Sequence, residues 1–406
     1  MKFSNLIRLA IRALQRNKLR ALLTMLGIII GVAAVIAMMS IGEGSKQAIN
    51  ASLSSMGSNM ITIMPQSNEP GGARMSRSSI QTLTIADVNA IEKGAPNIAE
   101  ISPLASSSGQ AINGASNWPT SIQGVSPAYL DIRKLTVKEG IVFSEQDVKS
   151  SAKVCLLGKT VVDNLFPNGA DPIGKIIRFG KIPFQVIGVL EPKGTSNFGQ
   201  DQDDIIIAPY TTIQKRVLSS IYFSQIYASA INEGASDAAV DEITTTLRST
   251  HRLRPSQQDD FQVRTQAELM TMLNSTSSMM TALLTAVASI SLVIGGIGIM
   301  NIMYVSVTER TREIGLRMSI GARGIDILLQ FLIEAIVISI TGGIIGVLLG
   351  ISAAFIIPMA LNWPTVISES SIVISFVVCA LTGIFFGYYP AVKASALDPI
   401  EALRYE

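Results

Sequence analysis

The segment Thr308–Arg323, with the sequence TERTREIGLRMSIGAR, is a short charged stretch between two long apolar ones, and it decides the class of fold. The residues from Leu269 to Thr308 carry no formal charge, and between Asp326 and Ser368 only Glu334 interrupts the apolar sequence. Apolar stretches of this length can cross a bilayer as helices. The sequence therefore predicts a membrane protein with this charged segment at a membrane surface.

Four stretches are apolar and long enough to span a bilayer, and they lie at about 21–42, 280–305, 335–357 and 371–390. Arginine exceeds acid in the charged segment, so the positive-inside rule places that segment in the cytoplasm. An even number of spans then predicts that both termini are cytoplasmic and that residues 43–275 lie outside. Residues 391–406 are predicted to form a cytoplasmic tail.

The N-terminal residues 1–20 are basic, carry no acid and have apolar residues at helical spacing. This pattern predicts an amphipathic helix on the inner surface of the membrane, in contact with lipid. The basic region of a signal peptide is the alternative interpretation, but the apolar stretch that follows is long enough for a complete span.

The composition favours a chain that is part membrane-embedded and part water-soluble. Hydrophobic residues make up 48% and charged residues 15%, which is more apolar than a typical soluble domain. A net charge of +2 is too small to indicate a nucleic-acid partner. Cys155 and Cys379 fall on different sides of the predicted membrane boundary, so no disulfide between them is expected, and Cys155 is predicted to be a small buried hydrophobe.

The predicted external region alternates between strand and helix patterns. Met60–Met64 and Ile98–Leu104 are predicted strands, and Thr84 is predicted to cap a helix that extends to Lys93. Helices continue beyond the first span and precede the second, which predicts two stalks. Two half-domains, about 58–116 and 211–265, predict a split βαβ subdomain, and a β-rich subdomain at about 117–210 is inserted between them. The predicted fold is therefore an α-helical membrane protein with four transmembrane helices and a large extracytoplasmic α+β domain on helical stalks.

The charged segment itself predicts a helix that reaches Met318. Glu309, Glu313 and Arg317 follow one another at four-residue intervals, and such pairs stabilise a helix. Ile314 and Met318 share one face, which suits insertion into a groove of a soluble partner. A solvated loop is the alternative.

Glu334 is a functional candidate, since acids are rare inside spans. It lies near enough to the charged segment to pair with one of its arginines, and a proton relay is the alternative role.

Glycines at four-residue spacing predict close helix packing in three of the spans. They are Gly27 and Gly31 in the first, Gly342, Gly346 and Gly350 in the third, and Gly383 and Gly387 in the fourth. The spacing leaves open whether they face helices of the same chain or a second copy.

No catalytic, cofactor or metal site is predicted. The sequence GADPIGKI at Gly169–Ile176 approaches a phosphate-binding loop, but Ile176 replaces the hydroxyl that would bind magnesium and Pro172 stiffens the loop. This segment and residues 158–160 are predicted to form turns. The single histidine, His251, is followed by arginines at positions 252 and 254 and is predicted to be solvated.

The run GGIGIMNIMYVSVTERTREIGLRMSIGAR, from Gly295 to Arg323, closely resembles the segment that follows the second span in MacB/FtsX-like permeases of ABC transporters. Three further stretches are similar to the same family: LRALLTMLGIIIGVAAVIAM, FLIEA and YYPAVKASALDPIEALRYE. In that family the charged segment is the coupling helix that docks on the ATPase subunit. The resemblance therefore implies that the ATPase contacts lie among Glu309, Arg310, Thr311, Arg312, Glu313, Ile314, Gly315, Arg317 and Met318, and that the split subdomain is porter-like.

The resemblance implies a homodimeric permease subunit of an ABC-type efflux system in a bacterial plasma (inner) membrane. Its expected partners are a cytoplasmic ABC ATPase, which would bind ATP and magnesium, and a membrane-fusion adaptor protein. MacB proteins carry a fused ATPase domain that this sequence lacks, so the ATPase is expected to be a separate polypeptide. An FtsX-like regulator of an extracellular cell-wall hydrolase and a lipoprotein-releasing permease are the alternatives.

Overall fold

The computed structural model describes residues 18–54, 57, 59–66, 81–195, 201–361 and 363–404. The chain divides into two compact units, one formed by the residues up to Ala48 and from Asn274 onward, and the other by Ile49–Leu273. We call them the helical unit and the α/β unit. Most of the amphipathic helix predicted at residues 1–20 lies outside the described residues.

The described α-helices of more than three residues, numbered in chain order, are α1 Lys18–Ser54, α2 Ile85–Gly94, α3 Ala128–Ile132, α4 Glu145–Ser150, α5 Lys159–Leu165, α6 Ser236–Thr250, α7 Gln266–Glu309, α8 Thr311–Ser319, α9 Gly324–Leu361, α10 Glu369–Ser395 and α11 Pro399–Arg404. The strands are β1 Met60–Pro65, β2 Ile98–Asn113, β3 Ser116–Val125, β4 Val137–Gly140, β5 Val154–Leu157, β6 Ile176–Phe179, β7 Ile182–Leu190, β8 Ile205–Pro209, β9 Gln225–Ala230 and β10 Phe261–Thr265. A short π-helix, Ile213–Leu218, follows β8.

Four helices, α1, α7, α9 and α10, are long and apolar enough to cross a membrane, which confirms the four predicted spans. Two of them are longer than a span requires. α1 continues to Ser54, and α7 begins at Gln266. These extensions are the helical stalks that the sequence predicts.

The helical unit is packed through glycines. A methyl group added at Gly346 of α9 would lie 2.8 Å from Val32 Cβ of α1, and one added at Gly350 would lie 2.9 Å from Ile36 Cβ. Real carbon atoms do not approach so closely, so only glycine allows α1 and α9 this separation. Gly342 of α9 likewise lies against Met25 of α1.

The remaining predicted glycines also contact helices of the same unit. Gly27 meets Gly295 of α7, Gly31 meets Leu292 of α7, Gly383 meets Ser339 of α9, and Gly387 meets Ala335 of α9. The seven glycines therefore pack within one chain, which answers the question that their spacing leaves open.

The α/β unit contains a split βαβ arrangement. Its antiparallel strands lie in the order β10-β1-β9-β2, with α2 connecting β1 to β2 and α6 lying between β9 and β10. The two helices pack against each other. This is the βαββαβ order predicted for the two half-domains. The start of α2 is fixed as expected, because the Thr84 N–H donates to Asp87 Oδ2 at 2.7 Å.

Strand β2 carries the chain from this layer into the inserted one. Residues Ile98–Leu104 pair with β9, whereas Ala105–Asn113 pair with β3. The predicted strand ends at Leu104, because the serine-rich sequence after it has no apolar alternation. The change of pairing partner thus comes at Ala105, about a dozen residues before the predicted start of the insert at residue 117.

The inserted layer continues in the order β3-β8-β5-β7-β4, with β6 paired to β2 and β7. Strand β4 and helices α3, α4 and α5 were not predicted. The turn predicted at residues 158–160 is wrong, because Gly158 is the N-cap of α5 and Lys159 pairs with Asp163 one turn along it. The turn predicted at Gly169–Ile176 is present up to the start of β6, with positive φ at its glycines.

The core of the α/β unit is aliphatic and aromatic, and Cys155 lies within it with no exposed surface, as predicted. The prediction for His251 is wrong. Its side chain is only 9% exposed, and its Nδ1 lies 2.7 Å from Asp260 Oδ1 while its Nε2 lies 3.2 Å from Asp87 Oδ1. Contact with Asp87 makes the largest contribution and raises the pKa of His251 to about 9, and contact with Asp260 acts in the same direction. Burial opposes the shift.

Candidate functional site

The charged segment is a separate short helix rather than a continuation of the second span. Helix α7 ends at Glu309, Arg310 interrupts the helix, and α8 runs from Thr311 to Ser319. The Thr311 hydroxyl donates to the carbonyls of Val307 and Thr308 at 3.1 and 2.9 Å. The single helix predicted from Glu309 to Met318 is therefore wrong at its start, because four-residue charge spacing does not reveal the break.

One face of α8 is buried against the helical unit. Ile314 is 1% exposed and belongs to the same apolar core as Phe331 of α9. A methyl group added at Gly315 would lie 2.7 Å from Ala402 Cβ of α11. The expectation that the Ile314 face inserts into a partner is therefore wrong, since this chain already covers that face. Met318 is half-buried beside it.

The opposite face of α8 is exposed and mixed in character. Arg312 and Glu313 are exposed, Leu316 is 53% exposed, and Ile320 just beyond the helix is 80% exposed. Gly321 then turns the chain with a φ of 104°, which ends the helix. This face, rather than the Ile314 face, is available to another molecule.

Two arginines, Arg310 just before α8 and Arg317 within it, fasten this segment to α9. Arg310 Nη1 lies 3.3 Å from Glu334 Oε2, and Arg317 Nη1 donates to Gln330 Oε1 at 2.7 Å. Both acceptor side chains are less than 10% exposed. The pairing of Glu334 with an arginine of the charged segment is thus confirmed. We call these two interactions the α8–α9 polar contacts.

The predicted helix pair within α8 is present as well. Arg317 Nη2 donates to Glu313 Oε1 at 2.5 Å, one turn apart. Arg317 therefore contacts both α9 and the Glu313 carboxylate on the exposed face of its own helix.

Helix α11 is the part of the site that sequence reasoning missed. Its residues were assigned to a tail, yet it packs on α8 through Ala402. The signal was present in the sequence, since Asp398 followed by Pro399 is a typical helix start. The Asp398 carboxylate accepts from the Ile400 N–H at 2.8 Å. Ile400 is 69% exposed and Leu403 42% exposed, so α11 also presents apolar side chains outward.

A groove of about 500 Å³ lies beside these two helices. Lys393 of α10 places its Nζ 4.3 Å from the centre of the Tyr304 ring in α7. Asp398 and Glu401 line the same groove. The end of the helical unit that contains α8 and α11 therefore offers exposed apolar residues together with charges of both signs, which is the composition of a protein-binding surface.

Among the described residues no group of three His, Cys, Asp or Glu side chains is placed to hold a metal ion.

Two family descriptions match the chain. Residues 21–246 match the MacB-like periplasmic core domain, and residues 285–399 match the FtsX-like permease C-terminal region. The chain belongs to the MacB/FtsX-like permease family. In this permease α8, α9 and α10 fall within the FtsX-like region, and the α/β unit falls largely within the MacB-like core domain. Four apolar helices and a periplasmic-type domain fit an inner-membrane protein.

Two curated relatives of this permease are named macrolide export ATP-binding/permease protein MacB. The protein of Syntrophobacter fumaroxidans is 43% identical over 100% of this chain and 64% of its own length. The protein of Bdellovibrio bacteriovorus is 44% identical over 97% of this chain and 61% of its own length. The chain therefore spans about three fifths of the relatives it matches. The crystal structure of the periplasmic region of MacB from Actinobacillus actinomycetemcomitans is 27% identical, with a TM-score of 0.46, and covers 55% of this chain and 97% of that one.

Proposed function

We propose that this chain is the transmembrane permease of an ABC-type export system, driven by an ABC ATPase that docks on α8 and α11. The observation that carries the proposal is the α8–α9 polar contacts, because they join an exposed charged face directly to a membrane helix. The names of the curated relatives, which combine ATP binding, permease and macrolide export, support export as the output.

The docking surface consists of the outward residues of α8 and α11. Leu316, Ile320, Ile400 and Leu403 supply apolar contact area. Arg312 and Glu313 flank them with opposite charges, which favours one orientation of the partner. Among the residues that the resemblance assigns to the ATPase, Ile314 and Gly315 instead support α8 from behind.

Movement of α8 has two routes into the membrane helices. The α8–α9 polar contacts connect it to α9, and the short break at Arg310 connects it to α7. Helix α7 then continues for 44 residues, about 65 Å at ~1.5 Å per residue. This length is about twice the ~30 Å of bilayer hydrocarbon, so a single helix can carry a displacement out of the membrane. The α/β unit would move in response and expel substrate that has been collected outside.

The wider assembly follows from the same proposal. Four spans are few for a transport pathway, so the working unit would be a homodimer with two ATPase subunits, joined outside by an adaptor protein. The termini, α8 and α11 would lie in the cytoplasm, and the α/β unit on the other side of the membrane.

The direct test is co-purification of the co-expressed ABC ATPase with an Arg312→Ala, Leu316→Ala double variant. Loss of an exposed charge and an apolar anchor should weaken retention by about tenfold. The matched control is Lys138→Ala with Glu139→Ala, two side chains of the α/β unit that are each 60% exposed. Retention of the ATPase equal to that of the control would contradict docking on α8.

A further inference from the structure

A cavity of about 650 Å³ lies within the helical unit, apart from the α8 surface. Its floor is α1, its walls are α7 and α10, and its volume is within the ~300–1,000 Å³ typical of small-molecule sites. Val32, Val35 and Met39 supply the floor, and Leu292, Ile374 and Val378 supply apolar parts of the walls.

The α7 wall of the cavity is built mostly from small side chains. Toward the C-terminal end of α7, Gly296 meets the Phe386 ring, so α7 and α10 are in contact there. Toward the N-terminal end of α7 the same side carries small residues at helical spacing, and these line the cavity: Ser278, Ala282, Thr285, Ala286 and Ser289. The bulky residues of this segment, such as Leu283, Val287 and Ile290, are more than half exposed and do not line it.

A buried hydroxyl in the wall has no partner among the residues that the structure describes. Ser375 of α10 is 3% exposed and lines the cavity, and its Oγ makes no hydrogen bond to any described residue. An unsatisfied buried hydroxyl is unfavourable, so such groups are usually bonded to something. Ser375 lies six residues into α10, about 9 Å along the helix at ~1.5 Å per residue.

The charged residues of the cavity lie together on one turn of α1. Glu43 and Lys46 line it, and the other described residues that line it are uncharged. The cavity therefore has an apolar interior, the Ser375 hydroxyl about two turns from the start of α10, and the Glu43 carboxylate and Lys46 ammonium group at its polar end. A zwitterionic phospholipid has the complementary sequence of groups: acyl chain, ester carbonyl, phosphate and ammonium.

We propose that this cavity binds one membrane phospholipid with a zwitterionic head group. An acyl chain fills the space between α7 and α10, an ester carbonyl accepts from the Ser375 hydroxyl, and the head group pairs its phosphate with Lys46 and its ammonium with Glu43. The lipid enters sideways from the bilayer that surrounds these helices. This inference concerns a binding site and does not depend on ATPase docking.

The test uses the full chain in nanodiscs of phosphatidylethanolamine and phosphatidylglycerol that contain phosphatidylethanolamine with a photoactivatable diazirine in one acyl chain. After irradiation, mass spectrometry should find the label on the α7 and α10 peptides that line the cavity. Ala286→Trp fills the cavity and should reduce that labelling by about tenfold. Val287→Trp, one residue away on the exposed face, should leave it unchanged.

Two further variants test the role of the hydroxyl and the identity of the occupant. Ser375→Ala removes only the hydroxyl and should lower cavity labelling to a level between those of the wild type and Ala286→Trp. Ala286→Cys tests the rival occupant, a second copy of the chain, because the native cysteines are both buried. Labelling unaffected by Ala286→Trp and Ser375→Ala, or efficient disulfide dimers through Ala286→Cys, would overturn the proposal.

Discussion

At the scale of single residues, His251 shows how a charge can be fixed inside the α/β unit. Its imidazole lies between Asp87 at the start of α2 and Asp260 just before β10, with the Phe261 ring against it edge-on. Burial alone would raise the pKa of Asp87, but contacts from His251 and Thr84 hold that pKa below its ordinary value. His251, Asp87 and Asp260 therefore join the start of α2 to the end of α6 and the start of β10, which lie far from α2 in the sequence.

We predict that this cluster makes the α/β unit less stable at alkaline pH. The folded pKa of His251, about 9, exceeds the ordinary histidine value of 6.5, so the stabilisation is complete below pH 6.5 and is lost as pH rises through 9. The lowered pKa of Asp87 acts in the opposite sense, because its contribution is lost as pH falls through the acid range. Solvent screening limits the His251 effect to about 1–2 kcal/mol.

Hydrogen exchange of α6 and β10 amides in the full chain, corrected for intrinsic exchange rates, measures this effect. Protection should fall between pH 6.5 and 9.5 in the wild type and change less in His251→Gln. Identical pH dependence in the two proteins would rule out His251 as its source.

A second residue-scale prediction concerns Gly346. Leucine at this position would collide with Val32 and with the Ile29 carbonyl, so Gly346→Leu should destabilise the packing of α1 on α9 by about 1–3 kcal/mol or more. Gly298→Leu is the matched control, since a methyl group there meets nothing within 4 Å among the described residues. Thermal unfolding in detergent should separate the two variants. Equal melting temperatures would show that α1 and α9 are not closely packed.

At the scale of secondary-structure elements, periodic patterns in the sequence predict helices and strands. They do not predict which surface an apolar face contacts when two partners are possible. The four spans and α2, with its Thr84 cap, have strong signals and were found. The apolar stripe of α8 was also found, but periodicity cannot say whether Ile314 faces a partner or the chain's own core. Strand β4 was missed because its side chains are mostly exposed, and α4 was missed although Ser144 and Asp147 form a capping box.

The ion pair that links Arg310 to Glu334 of α9 can be tested by comparing the loss of one charge with the replacement of both charges by apolar side chains. Arg310→Ala leaves the buried Glu334 carboxylate without its arginine and should cost about 3 kcal/mol. The double variant Arg310→Met, Glu334→Met replaces the pair by apolar side chains and should recover most of that loss. Unfolding in detergent checks both, with Arg312→Ala as an exposed control on the same helix. Equal stability of Arg310→Ala and Arg312→Ala would mean that the ion pair does not hold α8 in place.

At the scale of the whole molecule, two helices, α1 and α7, belong partly to the helical unit and partly to the α/β unit. The proposed mechanism depends on this continuity, because a movement that begins at α8 has to leave the membrane through a helix. Composition predicted the division into an apolar part and a soluble part. Composition could not predict that the first part of β2 pairs with β9 and the second part with β3, since this depends on which strands pair along its length.

The central claim is that the outward face of α8 contacts an ABC ATPase, and site-specific photocrosslinking tests it most directly. A photoreactive amino acid would replace Leu316 on that face or, as a control, Ile290 on α7, which is 61% exposed. In cells that co-express the ATPase, we predict a crosslink to the ATPase from position 316 and none from position 290. Absence of the crosslink at 316 while the ATPase co-purifies with the permease would contradict the account.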